Sequence, residues 1–61
     1  MLRIRTQVGE VQVHTLWFMG KWITLYTLGG KRESIDSATL FEASQMHLQM
    51  CMAVKNQQDK K

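Results

Sequence analysis

Apolar and polar residues alternate along Leu2-Arg3-Ile4-Arg5-Thr6-Gln7-Val8. They alternate again from Val11 to Thr15, before Leu16-Trp17-Phe18 turns continuously apolar. A period of two is the mark of a strand with one face toward a core. Gly9-Glu10 lies between the two runs and can turn the chain, so residues 2–18 predict a β-hairpin. Met19-Gly20-Lys21 makes the next turn. Trp22-Ile23-Thr24-Leu25-Tyr26-Thr27-Leu28 is rich in β-branched and aromatic residues and predicts a third antiparallel strand, ended by Gly29-Gly30.

After Ile35 the period lengthens to that of a helix. Asp36 is the expected N-cap, Ile35 and Leu40 stand where a hydrophobic staple would close, and Glu42 lies near the positive end of the helix dipole. At about 100° per residue, Glu42, Gln45, Gln49 and Asn56 line one narrow polar strip. Phe41, Leu48 and Met52 form one apolar flank, and Ala43, Met46, Met50, Ala53 and Val54 form the other. A three-stranded sheet covers one such flank, which leaves the second for a partner. The expected fold class is α+β: a three-stranded antiparallel β-β-β meander packed against one long C-terminal helix. Residues 1–61 would be a single domain, with 56–61 as a frayed, solubilising tail.

The length of 61 residues supports that reading, because a chain of this size buries only about 60% of the surface its unfolded form exposes. The lone Cys51 cannot form an internal disulfide, and no Cys/His spacing resembles a zinc site. Cys51 is expected to be a small buried apolar residue in a reducing compartment. Arg3 and Arg5 interrupt the first residues, and no apolar run approaches the roughly 20 residues of a membrane span, so a soluble, cytoplasmic protein is expected. The formal charge is +3, with Arg3 and Arg5 in the first strand, Lys31 and Arg32 after the glycine pair, and Lys55, Lys60 and Lys61 near the end. Such a balance marks nucleic-acid binding only where the basic residues share one face.

Catalytic constellations are missing, and neither an enzyme nor a cofactor is expected. His14 and His47 fall in different elements without a carboxylate at metal-ligand spacing. His47 and Cys51 are an i,i+4 pair on one helical face, the spacing a nucleophile and its base would need. No second layer forms a cleft over them. Gly29-Gly30-Lys31-Arg32 lacks the spacing of a phosphate-binding loop and reads as a strand-ending turn.

The remaining candidate is Glu33-Ser34-Ile35, a carboxylate, a hydroxyl and a hydrophobic peg expected at the corner between sheet and helix. Followed by a helix, it resembles the Glu-Ser-Ile motif of phage-type uracil-DNA glycosylase inhibitors. The resemblance implies a stoichiometric inhibitor of a host bacterial uracil-DNA glycosylase. The motif would enter the enzyme's DNA-binding cleft, and a pocket between helix and sheet would take an apolar side chain of its DNA-intercalating loop. Carried over by position, Glu33 would imitate a DNA phosphate or accept cleft hydrogen bonds, Ser34 would add another, and Ile35 would anchor the corner. Asp36 would add charge. Leu40, Met46 and Met50 would line the pocket, methionine being able to remould around an inserted group. The familiar inhibitors are acidic DNA mimics whereas this chain is basic, so binding would rest on shape and the pocket more than on a broad negative field.

Three antiparallel strands followed by one helix also resemble the small DNA-binding domain at the start of some phage integrases, which lays its sheet in the major groove. Arg3, Arg5, Gln7, Gln12 and His14 would then form the polar face, with Lys21, Lys31 and Arg32 on phosphates. Trp and Leu residues of the second and third strands are expected to interrupt that face. A third possibility is a homodimer whose helices pair through the surplus apolar flank.

Overall fold

Three two-residue turns convert the alternating segments into a meander of four strands. In a computed structural model describing residues 3–59, β1 (Arg3–Val8), β2 (Val11–Phe18), β3 (Lys21–Leu28) and β4 (Lys31–Ser37) form one antiparallel sheet in the order β1-β2-β3-β4. The helix α1 (Leu40–Asp59) follows. The α+β class with an antiparallel sheet and one C-terminal helix is as expected, but the sheet has four strands where three were expected. Leu2, at the start of the expected hairpin, and Lys60 and Lys61, at the end of the expected tail, lie outside the described residues.

The extra strand arises at Gly29-Gly30, which turns the chain back where it was expected only to end a strand. Both glycines have positive φ, 60° and 82°, the geometry of the tight hairpin turns whose twist matches that of the flanking strands. β4 pairs with β3 along its length, from Leu28 opposite Lys31 to Trp22 opposite Ser37. Its sequence, Lys-Arg-Glu-Ser-Ile-Asp-Ser, has one apolar residue and no alternation that marks a strand. An edge strand needs none: one side is held by backbone hydrogen bonds, and charge on the other discourages pairing with further chains.

The helix begins later than Asp36 implies. Thr39 is the cap: its hydroxyl accepts a hydrogen bond from the Glu42 amide at 3.2 Å and donates one to the Glu42 carboxylate at 3.5 Å. Asp36 is instead part of β4 and accepts an ion-paired hydrogen bond from Lys21 at 2.9 Å. With the cap moved, Ile35 and Leu40 no longer bracket it as a staple. At the other end residues 56 to 59 belong to the helix. The Gln58 side-chain amide donates to the Val8 carbonyl at 2.7 Å, tying the last turn to the β1–β2 hairpin.

α1 lies on one face of the sheet. The register puts Thr6, Val13, Thr15, Trp22, Thr24, Ile35 and Ser37 on that face, against Ala43, His47 and Val54 of the helix. Among the described residues the buried apolar side chains are Val13, Trp22, Ala43 and Val54, and Thr15, Thr24, Ser37 and His47 are buried with them. The polar members are joined. One ring nitrogen of His47 is 2.8 Å from the Thr6 hydroxyl and the other 2.8 Å from that of Thr15, which in turn lies 3.0 Å from the Thr24 hydroxyl. The neutral ring can donate at one nitrogen and accept at the other, so no member need be left unsatisfied. Trp17 and Trp22 meet edge to face at 5.4 Å on the same side, near the helix start. No described helix is long and apolar enough to cross a membrane.

Two expectations follow. Burial, with the nearby charge of His14, lowers the pKa of His47 from its usual 6.5. The folded chain therefore takes up a proton less readily than the unfolded one. The stability this group contributes is complete above 6.5 and declines as pH falls from there toward the lowered folded value. Urea unfolding followed from neutral to mildly acidic pH will show the loss, and a folded His47→Gln chain will lack that part of it; an identical slope in both would refute the assignment. For the cap, Thr39→Ala should cost about 1 kcal/mol. Asp36→Ala, which breaks only an exposed ion pair, should cost less than about 1 kcal/mol. Denaturation midpoints in the opposite order would return the cap to Asp36.

Candidate functional site

β4 decides the fate of the tripeptide. Along a strand successive side chains point to opposite faces, so Glu33 and Ile35, opposite Tyr26 and Thr24, turn toward the helix side. Ser34 and Asp36, opposite Leu25 and Ile23, turn to the other. The three residues therefore lie on an edge strand, not at a sheet-to-helix corner, and do not present one cluster. Glu33 and Ser34 are exposed and Ile35 is half-buried.

A groove does run between β4 and the start of α1. It has a volume of about 370 Å³ and is lined by Ile35, Asp36, Ser37, Ala38, Glu42, Gln45 and Met46. Of the residues expected to form a partner site, it brings together Ile35, Asp36 and Met46. Glu33, Ser34, Leu40 and Met50 are not in its wall. Leu40 is an exposed first helical residue, and Met50 is half-buried on the flank that carries the sheet contacts.

The larger surface is the sheet face that α1 leaves bare. Its positions follow from the register: Arg3, Arg5 and Gln7 on β1; Gln12, His14, Leu16 and Phe18 on β2; Lys21, Ile23, Leu25 and Thr27 on β3; Arg32, Ser34 and Asp36 on β4. Arg5 stands opposite His14 and Gln7 opposite Gln12, whose side-chain amides are hydrogen-bonded at 3.1 Å. The polar residues of the first two strands are thus contiguous. Both tryptophans and Tyr26 lie on the helix side, because Thr15 and Thr24 fix the register with their buried hydroxyls. The expected interruption by Trp is therefore absent, while Leu16, Ile23 and Leu25 remain as an apolar strip down the middle of the face.

Charge is divided between the two sides of the sheet. Arg3, Arg5, Lys21 and Arg32 lie on the bare face, where the one carboxylate among the described residues is Asp36. Glu33 is turned to the other side, and Glu42 and Asp59 belong to the helix. Beside the Gln7–Gln12 pair lies an open hollow of about 440 Å³ lined by Gln12, His14, Leu25, Thr27 and Arg32, and by the neighbouring Tyr26 and Glu33. The His14 Nε2 is shielded from water there without a hydrogen-bond partner. A buried polar atom in that state is costly. The alternation along β2 puts His14 in phase with Gln12, the signal by which its face could be read.

No described cluster of His, Cys, Asp and Glu could hold a metal ion. Both ring nitrogens of His47 are engaged by threonine hydroxyls, so His47 is not poised as a base for the half-buried Cys51. Geometry thus defines a small two-layer α+β domain with one bare, basic sheet face. No family model, characterised protein or solved structure was found to match the chain.

Proposed function

We propose that this chain binds double-stranded DNA through its bare sheet face, the β1–β2 hairpin entering the major groove. The observation that carries this is the contiguity of Arg3, Arg5, Gln7, Gln12 and His14 on a face no helix covers. Arginine and glutamine offer the paired hydrogen bonds that read guanine and adenine edges, and leucine and isoleucine can meet the thymine methyl group. A two-stranded ribbon fits a groove about 12 Å wide. Lys21, on β3 and paired with Asp36, and Arg32, on β4, are placed for phosphates. Duplex is favoured over single strands, which are held by stacking on aromatic platforms. The aromatic residue on this face is Phe18, at its rim, and the remaining described aromatics of the sheet lie on the helix side.

Fluorescence anisotropy with short duplexes should show affinity falling steeply with salt. For the two phosphate contacts of Lys21 and Arg32, log K against log salt has a slope of about −2. Arg32→Ala should flatten that slope by about 1, whereas Arg5→Ala should chiefly relax sequence preference. Absence of duplex binding at low salt would refute the function, and tighter binding to single strands would refute the groove.

A second function is favoured by one feature, the groove between β4 and the Met46 flank. A stoichiometric inhibitor of uracil-DNA glycosylase could receive an apolar side chain there while Glu33, on the exposed edge strand, meets the enzyme's cleft. Burying one leucine would contribute roughly 2 kcal/mol. A uracil-excision assay at equimolar chain tests it: Met46→Trp should fill the groove and Glu33→Ala should cost about 2 kcal/mol of binding, each with little loss of folding. Undiminished excision with folded, unaltered chain would remove it.

A further inference from the structure

Hydrogen bonding leaves the middle of the bare face unused. Leu16 of β2 stands opposite Ile23 of β3, and Leu25 lies two residues further along the same side of β3, opposite His14. Leu16 and Ile23 are half-buried, whereas Leu25 is 41% exposed. Leu25 also enters the wall of the 440 Å³ hollow, together with Gln12, Thr27 and Arg32. An apolar side chain is thus set beside an amide and a guanidinium in one open depression. Arg5 on β1 and Arg32 on β4 flank the strip, a charge pattern that suits a phosphate-lined groove.

We propose that this depression selects A·T base pairs by their thymine methyl groups, and that Leu25 is the residue that receives the methyl. Such selection rests on the duplex binding proposed above and names what that face reads. A sheet face laid in the major groove sets its apolar strip against base edges. Cytosine presents an amino donor there and guanine two acceptors, and each of these loses its water without gaining a partner when it meets a leucine. Thymine presents a methyl group, the one alkyl group that the four bases place in that groove. Contact between it and Leu25 removes apolar surface from water on both sides, which favours binding by about fourfold for a methyl-sized group.

Gln12 fits the other half of the pair. Its side-chain nitrogen donates one hydrogen to Gln7 at 3.1 Å, and its carbonyl oxygen and second hydrogen can meet the adenine N6 amino group and N7. An amide and a leucine in one hollow therefore match adenine and thymine side by side.

Fluorescence anisotropy on matched duplexes tests the assignment, because replacing every thymine by uracil removes the methyl groups and keeps the pairing edges. The thymine duplex should bind about fourfold more tightly than its uracil copy for each methyl that reaches the strip. A G·C duplex should gain in the same sense when its cytosines carry a 5-methyl group, which stands at the same place in the groove. Leu25→Ala should largely abolish the difference between thymine and uracil, and Leu25→Met, of similar volume, should keep it. Circular dichroism should show both variants folded, since the site is exposed. A merely structural role would lower both affinities together and preserve their ratio. Equal affinity of the unaltered chain for the thymine and uracil duplexes would overturn the proposal and leave the duplex binding standing. A thymine preference that survives in folded Leu25→Ala would overturn the role of Leu25, and binding to neither duplex would overturn the selection together with the DNA binding.

Discussion

The His47 ring, hydrogen-bonded at both nitrogens between two threonines of the sheet, sets the rotation of α1. A buried imidazole left without partners would cost about 1–3 kcal/mol, as much as burying a whole apolar side chain gains. Turning α1 about its axis would break both bonds, so the flank containing Ala43, His47 and Val54 is held against the sheet. The same lock holds Phe41, Leu48 and Met52 in water. The partition between used and unused apolar surface therefore follows from one side chain and two hydroxyls.

A second constraint is geometric. One helix about 10 Å across can cover one face of a four-stranded sheet and no more. The far face must remain in contact with water or a ligand, and its composition suits that position: arginines and amides toward β1, a short apolar strip in the middle, and polar residues again on β4. Because the carboxylates Glu33 and Glu42 fall on the helix side, a modest net charge becomes a more strongly basic surface. Distribution matters more than total for an anionic partner.

Strands, turns and helix were largely legible from the sequence, because a period of two and a period of 3.6 are properties of the chain written locally. So was the alternation that puts Arg3, Arg5 and Gln7 in phase with one another and Gln12 with His14. The cap was legible in principle, as Thr39-Leu40-Phe41-Glu42 is a capping-box spacing, but Asp36 offered an equally good local signal three residues earlier. Local chemistry could not choose between them. The choice fell to β4, whose pairing with β3 claims Asp36 for the sheet.

What the tertiary structure alone decided was everything that depends on pairing. β4 is a strand because β3 offers it a ladder of backbone partners, and backbone hydrogen bonding leaves no mark in side-chain hydropathy. That pairing splits Glu33, Ser34 and Ile35 between two faces, which no tripeptide motif can reveal. Nor could the sequence say which helical flank would be buried, since both are apolar. The tryptophans fall on the helix side because the Thr15–Thr24 pair fixes the register, and a shift by one residue would have put them on the bare face. The sequence determined the first three strands, the helix and their order; pairing with β3 made the fourth strand, and long-range hydrogen bonds between residues as distant as Thr6 and His47 determined which surfaces these elements present.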